Sequence, residues 1–230
     1  GRTQRPAVLL SGSAVGWYGN GGERELSEAA QPVTEDFAAQ LCGSWEETAR
    51  RAEELGMRVV LIRTGLVLSP DGGMLKRLLL PFKLGLGGRI GDGRQWMPWI
   101  HIEDQIGLID FLLRQPAASG PYNACAPTPV RNLEFTRSLS RCLHRPALLP
   151  VPAALLKPLL GELAGLLLGG QHAQPQEDRE PPRARGHQHD DAGQHDHPAD
   201  QGHQAGLRQE LPQDVALFDG SIADNICRFD

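Results

Sequence analysis

Long hydrophobic runs are missing from this chain of 230 residues. The longest apolar stretch, Val151 to Leu168, is interrupted by Lys157, Pro158 and Glu162 and is shorter than the roughly 20 residues that span a bilayer. It is typical of a buried helix. The first residues do not resemble a signal peptide either. We therefore expect no membrane partner for the main body, and a cytoplasmic location.

A basic stripe is also missing, which excludes the usual modes of nucleic-acid binding. The net charge is −5. It divides into +2 for residues 1–171 (18 Lys+Arg against 16 Asp+Glu) and −7 for residues 172–230 (5 against 12). We therefore expect no nucleic acid as a partner.

Cysteine pairs at Cys-x-x-Cys spacing are absent. The four cysteines are scattered along the chain, at Cys42, Cys125, Cys142 and Cys227. This usage predicts reduced thiols in a cytosolic protein.

The phosphate loop of nucleotide hydrolases, G-x-x-x-x-G-K-[ST], is absent as well, which excludes that class of ATPase. Two glycine patterns, Gly16-x-x-Gly19-x-x-Gly22 and Gly85-x-x-Gly88-x-x-Gly91, have dinucleotide-fingerprint spacing. That fingerprint needs a strand before it and a helix that opens inside it. The second pattern leads into Asp92-Gly-Arg without a helix, and Pro32 limits any helix after the first. We interpret both as loops.

One stretch of the chain does indicate a ligand site. The apolar run Ala7-Val-Leu-Leu10 leads directly into Ser11-Gly-Ser-Ala-Val-Gly-Trp-Tyr-Gly19. A strand that ends in hydroxyl and glycine residues exposes a serine and bare backbone at the C-terminal edge of a sheet. In open α/β sheets, ligands bind at that edge.

The periodicity of the following residues predicts a parallel crossover unit. A helix from the cap at Thr34-Glu-Asp36 to Leu55 is indicated by Phe37, Leu41, Trp45 and Ala49 at helical spacing, with Gly56 as its stop. A buried strand, Arg58 to Arg63, follows. Strand, helix and strand together favour an α/β fold.

Further elements are predicted downstream. They are a helix over Met74–Leu84 interrupted by Pro81, a helix over Glu103–Arg114, a strand over Tyr122–Cys125, a helix over Asn132–Leu143 capped by Asn132, and a helix over Pro152–Leu168. Residues 172–206 are rich in His, Gln, Asp, Arg and Pro, a composition that predicts disorder. Folded character returns at Leu211–Phe229.

Residues 5–171 resemble an atypical branch of the extended short-chain dehydrogenase/reductase superfamily, the epimerase-family proteins that carry a small C-terminal domain of unknown function. The matching segments, in family order, are Ser11–Gly19, Leu41-Cys-Gly-Ser-Trp-Glu46, Arg63-Thr-Gly-Leu-Val-Leu68, Pro81–Gly88, Pro98-Trp-Ile-His101 with Asp104, Gly120-Pro-Tyr-Asn123, Pro127–Asn132, His144-Arg-Pro-Ala147 and Leu167–Gln171. The resemblance implies the C-terminal portion of a Rossmann-like doubly wound parallel sheet (1–70) and a small α/β substrate-side and partial C-terminal subdomain (71–171). A disordered His-rich linker (172–206) and a tail (207–230) would follow.

The resemblance implies a catalytic role for Ser13, whose hydroxyl would polarise a substrate oxygen. The alternative is a strand-end serine that satisfies backbone groups in a turn. The tyrosine and lysine that the superfamily places four residues apart on one helix face are absent, and Ala38 and Cys42 stand at their positions. Tyr18 is the candidate substitute as a proton donor, with packing at the pocket rim as the alternative. Cys42 is the candidate nucleophile, with an inert buried thiol as the alternative.

The cofactor implied is NAD(P), with NADP(H) favoured for the intact parent. The contacts expected from this chain are Ser11, Ser13, Gly65, Leu66 and Val67. The phosphate-binding strand-turn-helix is expected ahead of Gly1, so that the chain itself binds the dinucleotide weakly or not at all.

The resemblance implies a small-molecule substrate as the partner, with Trp99 and His101 as its contacts at a strand-to-helix junction. A packed tryptophan and a structural histidine are the alternatives, and Asp104 is explained by the helix dipole. No metal site is predicted, although His187-x-His189 and His195-x-His197 could chelate a metal adventitiously.

The segment Leu211 to Ile226 resembles the glutamine-loop region of ABC-transporter ATPase domains, with Gln213 as the glutamine. The simplest reading of the whole chain is a fragment or a chimeric reading frame. We expect, in order, an NAD(P)-dependent sugar-nucleotide epimerase or reductase relative that is nearly inactive as given, a noncatalytic NADP(H)-binding sensor or scaffold, and an ABC exporter component.

Overall fold

A three-stranded parallel sheet forms the centre of the fold. The computed structural model describes residues 6–32, 37–147, 150, 173 and 221–227. The sheet consists of β1 (Val8–Ala14), β2 (Arg58–Thr64) and β6 (Gly120–Ala124) in the order β1-β2-β6. Both pairings are parallel, with Ser13 opposite Arg63 and Arg63 opposite Asn123. The predicted parallel crossover unit is therefore confirmed.

Helices cover both faces of this sheet. Helix α1 (Phe37–Arg50) packs on one face, where Leu61 and Ala49 are buried together. Helix α3 (Ile102–Arg114) packs on the other, where Ile62 and Leu112 are buried together. Because neighbouring residues of a strand point to opposite faces, the apolar run of β2 supplies both layers. The doubly wound α/β class is confirmed.

The second part of the fold is built around a separate core. Its elements are β3 (Leu66–Leu68), α2 (Gly73–Lys83), β4 (Trp96–Met97), β5 (Trp99–His101), β7 (Val130–Arg131), α4 (Asn132–Cys142) and α5 (Ile222–Cys227). Strand β3 pairs in parallel with β5, and β4 pairs antiparallel with β7. The largest buried cluster lies among α2, α4 and α5, and it includes Leu75, Phe135 and Leu139.

Helix α1 turns a different face to the sheet from the one expected. Its buried residues are Ala39, Cys42, Glu46 and Ala49. Phe37, Leu41 and Trp45 are 75%, 36% and 47% exposed. The apolar spacing identified the helix, but the small residues set its orientation, because they let the helix lie close to the sheet. A 3₁₀ turn, Arg51–Leu55, extends the helix to Gly56, whose φ of 76° ends it as predicted.

Two details of the predicted helices are wrong. Pro81 does not interrupt α2, because it lies in the last turn and removes only one backbone donor there. Asn132 does not cap α4: the N-cap residue is Arg131, and the buried Asn132 side chain accepts a hydrogen bond from Ile90 N at 2.7 Å. Asn132 thus joins α4 to the loop after α2.

The prediction of four reduced thiols is wrong for two of them. Cys142 and Cys227 form a disulfide, with Cα atoms 5.2 Å apart. Cys42 and Cys125 are free and buried. The paired cysteines are 85 residues apart in sequence, so their spacing gave no indication that they are close in space. The cysteine argument for a cytoplasmic location therefore no longer holds.

Several predictions fall on residues outside the described part of the chain. These are the cap at Thr34–Asp36, the helix over Pro152–Leu168, Gln213, and the His-rich stretch apart from Ala173, which forms a bridge with Leu26. Among the described residues, no helix is long and apolar enough to cross a membrane. The described residues of the tail, 221–227, form α5 and share the core cluster of α4.

Candidate functional site

Three polar residues lie in one row across the carboxyl ends of the parallel strands. Ser13 of β1 is in register with Arg63 of β2, which is in register with Asn123 of β6. Residues in register across a sheet point to the same face. All three are buried, so the fold must supply their hydrogen-bonding partners.

Glu46 of α1 is the partner of two of them. Its carboxylate makes a bidentate ion pair with Arg63, in which the Nε–Oε1 and Nη2–Oε2 distances are both 2.9 Å. The Ser13 hydroxyl donates to the same Oε1 at 2.8 Å. Arg63 and Glu46 are 2% and 4% exposed. Burial lowers the pKa of Arg63, but the hydrogen bonds and charges of Glu46 and Tyr18 outweigh burial and raise it, so the guanidinium stays charged.

Two aromatic residues of the turn after β1 enclose the guanidinium. The ring centroid of Trp17 lies 3.5 Å from Arg63 Cζ, and that of Tyr18 lies 5.0 Å away. Arg63 Nη1 donates to the Tyr18 hydroxyl at 3.0 Å, which in turn donates to Asn123 Oδ1 at 2.7 Å. Tyr18 has no exposed surface. Burial raises the pKa of Tyr18 to about 12, although Arg63 opposes the shift, so the phenol remains protonated at neutral pH.

The loop that follows this turn is fastened to β6. Asn123 N donates to Glu28 Oε1 at 2.8 Å, and Asn123 Nδ2 donates to Leu26 O at 3.0 Å. Arg63 also donates to Glu28 O at 3.3 Å. The first glycine pattern, which runs from Gly16 to Gly22, lies in the short 3₁₀ turn Val15–Tyr18 and in this loop. The prediction that the pattern is not followed directly by a helix is confirmed.

Cys42 lies one helical turn before Glu46 on the buried face of α1. Burial raises the pKa of the Cys42 thiol, and the nearby Glu46 carboxylate adds to this effect. The Ala14 backbone and the neighbouring Ser13 side chain act in the opposite direction on the pKa. Cys42 is thus a protonated thiol beside Ser13, which is the environment of an inert cysteine rather than a nucleophile.

The predicted cofactor and substrate segments are neighbours. Leu66 and Val67 of β3 are in register with Trp99 and Ile100 of β5. Gly65 donates from its backbone N to Ala124 O at 3.0 Å, and a Cβ built on it would lie 2.4 Å from Pro98 O. A side chain at Gly65 cannot be accommodated, so glycine is required where β2, β5 and β6 converge.

Both predicted substrate contacts are buried in the fold. Trp99, which is 3% exposed, donates from Nε1 to Thr128 O at 3.2 Å. His101, also 3% exposed, caps α3 because its Nδ1 accepts from Glu103 N at 3.2 Å. These contacts favour the structural alternatives, and the role of either residue toward substrate stays a prediction.

The end of β1 has an open side. Gly12 is exposed, and nothing lies within 4 Å of a Cβ built on it. Ser11 is half-buried and makes only a 3.5 Å contact from Oγ to Gly12 O. Bare backbone and a hydroxyl are therefore presented at the ligand-binding edge of the sheet. Within the described ranges, no three His, Cys, Asp or Glu residues form a group that could hold a metal ion.

The structure thus brings Ser13 and Tyr18 into one network through residues that were not candidates. Glu46 and Arg63 connect Ser13 to Tyr18, and Asn123 and Glu28 continue the network beyond Tyr18. A signal for Arg63 was present: a charged residue inside an apolar strand needs a buried partner of opposite charge. Nothing in the sequence indicated that Glu28 would reach Asn123.

The chain is similar to proteins of one known family. The sequence profile of the NAD dependent epimerase/dehydratase family matches residues 1–125. The Epimerase family protein Mb2239 of Mycobacterium bovis is 47% identical over 165 residues, which are 71% of this chain and 54% of that protein. The chloroplastic SDR39U1 homolog of Arabidopsis thaliana, also an epimerase family protein, is 43% identical over 171 residues, 74% of this chain and 49% of that protein. The chain spans about half the length of these curated relatives.

Solved structures show the same relationship. The human epimerase family protein SDR39U1, crystallised with NADPH, superimposes with a TM-score of 0.70 at 34% identity, covering 76% of this chain and 59% of that one. The UDP-glucose 4-epimerase of Thermus thermophilus in complex with NAD has a TM-score of 0.54 at 18% identity, covering 74% and 55%; this likeness shows the fold. On the profile match and these identities, the chain belongs to the NAD dependent epimerase/dehydratase family.

Proposed function

We propose that this chain contributes the nicotinamide side of an NADP(H) site in an epimerase-family oxidoreductase that acts on a small molecule. The observation that carries the proposal is the end of β1, where Ser13 meets the buried Glu46–Arg63 pair while the neighbouring Gly12 is exposed and Ser11 half-buried. The relative crystallised with NADPH supports the choice of dinucleotide.

The residues at this edge fit a nicotinamide group. Gly12 and the half-buried Ser11 face opposite sides of β1, so backbone is open on one side and a hydroxyl on the other for a flat amide-bearing ring at the end of the strand. Segment Gly65–Val67 supplies a second stretch of backbone close to β5. When bound, the cofactor supplies hydride transfer. The protein's own contribution is to hold the ring at the end of β1 and to fix the orientation of Ser13 through Glu46.

We further propose that the chain as given binds the whole dinucleotide weakly and turns over little substrate. Affinity for a dinucleotide rests largely on a pyrophosphate held at a helix N-terminus behind a glycine-rich turn. In the sequence of this chain, neither glycine pattern leads into such a helix. The contacts available here are those of the nicotinamide end, and a nucleic acid or a membrane is not part of the proposal.

A noncatalytic NADP(H)-binding sensor or scaffold is the second candidate. It is favoured by the surroundings of the three side chains that could act as proton donors, Ser13, Tyr18 and Cys42. The Ser13 proton is directed to Glu46, the buried phenol of Tyr18 has a pKa of about 12, and Cys42 is a protonated thiol. Groups that neither release nor accept a proton near neutral pH are poor general acids and bases.

Calorimetric titration of the chain with parts of the cofactor tests the proposal. Reduced nicotinamide mononucleotide should bind about as tightly as NADPH, and adenosine 2′,5′-bisphosphate should not bind. Gly12→Val, which fills the open side of β1, should remove nicotinamide binding and leave unfolding by urea unchanged within about 1 kcal/mol. Binding of the adenosine half alone would contradict the proposal. Turnover of a carbonyl or alcohol panel with NADPH or NADP⁺ would exclude the sensor.

A further inference from the structure

Helix α5 is part of the main hydrophobic core, although it lies far from α4 in sequence. Ile222 and Ile226, one turn apart on α5, are 3% and 4% exposed. They belong to the same buried cluster as Phe135 and Leu139 of α4. The face of α4 that they cover is therefore a docking surface, and α5 is bound to it in this structure.

The N-terminus of α5 is capped by side chains of its own segment. Ser221 N donates to Asp224 Oδ2 at 2.8 Å, and Asp224 N donates to Ser221 Oγ at 3.3 Å. This reciprocal pair is a capping box. A helix of six residues is nevertheless far too short to be stable in isolation, so α5 depends on its contacts with α4.

A disulfide fixes the far end of α5 to the same surface. It joins Cys227, the last residue of α5, to Cys142, the last residue of α4. Cys142 is 5% exposed, whereas Cys227 is an exposed residue. A thiol in solution therefore has access to the bond from the Cys227 side, and the packing of Ile222 and Ile226 restricts access from the other.

We propose that docking of α5 on α4 is under thiol control, with the disulfide holding the helix in place and a small thiol such as glutathione releasing it. The thiolate attacks Cys227 Sγ, the S–S bond breaks, and its electron pair passes to Cys142 Sγ, which takes up a proton. A second thiolate cleaves the mixed disulfide, and Cys227 leaves as a thiol after protonation. Two glutathione molecules are oxidised to one glutathione disulfide, and the reverse exchange closes the bond.

Release of α5 would expose the apolar surface of α4. Without the covalent bond, α5 is held by the packing of its buried residues, Ile222, Asn225 and Ile226. Once it is released, the apolar face of α4 around Leu139 becomes accessible to solvent or to another helix. The inference concerns the α4 and α5 pair and does not depend on the nicotinamide site.

Hydrogen exchange of the full chain, with and without glutathione, tests the proposal. Peptide mapping under nonreducing conditions should first recover Cys142 bonded to Cys227. Reduction should then raise the exchange rates of residues 221–227 and of the end of α4 at least about tenfold, with β1 and β2 unchanged. Cys227→Ser should give the exchange of the reduced protein without any thiol. Bonding of Cys42 or Cys125 instead, or an α5 that stays protected after reduction, would overturn the proposal.

Two further variants separate the covalent bond from the packing. Ile226→Asp removes an apolar contact and leaves both cysteines, and it should speed reduction of the disulfide by about tenfold or more. Ile106→Asp, the same change at a residue of α3 that is 59% exposed, should leave the rate of reduction unchanged. Cys125→Ser should retain the response to glutathione. Equal rates in Ile226→Asp and Ile106→Asp would show that docking of α5 and the disulfide are not coupled, and would contradict the proposal.

Discussion

Ser13 donates its hydroxyl proton to Glu46 Oε1 at 2.8 Å, a contact between the end of β1 and the buried face of α1. That carboxylate also pairs with Arg63, and the bond from Ser13 uses the only proton that the hydroxyl can donate. A ligand that reached Ser13 would therefore meet its lone pairs. The group that meets it at the sheet edge is expected to be a donor, such as an alcohol or an amide N–H, rather than a carbonyl oxygen.

Replacing Glu46 by Gln should destabilise the fold strongly. The substitution keeps the shape of the side chain but leaves the buried Arg63 guanidinium without its counter-charge, a loss of about 3 kcal/mol or more in the free energy of unfolding. Urea unfolding measures this loss. Glu47→Gln is the matched control, because the neighbouring Glu47 pairs with Arg51 at the surface and its loss should change stability by no more than about 0.5 kcal/mol. Equal effects of the two substitutions would show that the buried pair is not ionised.

Stability should depend on the Tyr18 phenol at high pH. Its pKa is about 12 in the folded protein against about 10 in an unfolded chain. The unfolded state releases the proton first, so this contribution is fully present below about pH 10 and is lost as the pH rises toward 12. The loss should be on the order of 2 kcal/mol. The stability difference between wild type and Tyr18→Phe should therefore shrink over that range.

The Tyr122→Phe variant gives an independent check on that titration. The chain has two tyrosines, so tyrosinate absorbance in this variant comes from Tyr18 alone. The absorbance should rise with a midpoint near pH 12 while the protein is folded. A midpoint near 10 would mean that the phenol is open to solvent and free to act as a proton donor at the pocket rim.

Gly65→Ala should disrupt the junction of the two parts of the fold. The new Cβ would lie 2.4 Å from Pro98 O, a backbone atom, so strands must move apart at a cost of at least about 2 kcal/mol. Gly107→Ala is the control: it lies within α3, nothing is within 4 Å of its Cβ position, and helix propensity predicts a gain of roughly 0.5–1 kcal/mol. Thermal unfolding of both variants distinguishes them. A neutral Gly65→Ala would contradict the close approach of Gly65 to Pro98.

Cys42 should resist alkylation in the native protein. Its thiol is buried and its pKa is raised, so thiolate is scarce and a reagent cannot approach. With Cys142 and Cys227 paired, iodoacetamide labelling followed by mass spectrometry should show Cys42 reacting at least about 100-fold more slowly than in urea. Rapid native labelling would make Cys42 a reactive thiol beside Ser13.

The strand and helix positions could be predicted because each has a local signal. The apolar run of β2, the acidic start of α3 and the glycine stop at Gly56 all depend on residues close together in sequence. The orientation of α1 had no such signal, since Ala39 and Cys42 face the sheet while Phe37 and Trp45 do not. That choice depends on how closely the helix approaches the sheet, which is a tertiary property.

In the candidate site too, features with a local sequence signal could be predicted, and features that depend on tertiary contacts could not. Ser11 and Ser13 could be placed at the end of a strand because an apolar run leads directly into them, and their contact with a ligand, like that of Gly65, stays a prediction. The partners of Ser13 could not be predicted, because Glu46 and Arg63 meet only when β1, α1 and β2 are assembled. Neither could the Cys142–Cys227 bond be inferred from spacing, since it requires α5 to dock on α4.

Titration of the isotope-labelled chain with NADPH, followed by nuclear magnetic resonance of its backbone amides, tests the central claim most directly. The account predicts saturable shifts at Ser11–Ala14 and Gly65–Val67, and none at α4 or α5. It also predicts that reduced nicotinamide mononucleotide reproduces them. Shifts confined to other elements, or no saturable shift at these two segments, would show that the end of β1 is not a nicotinamide site.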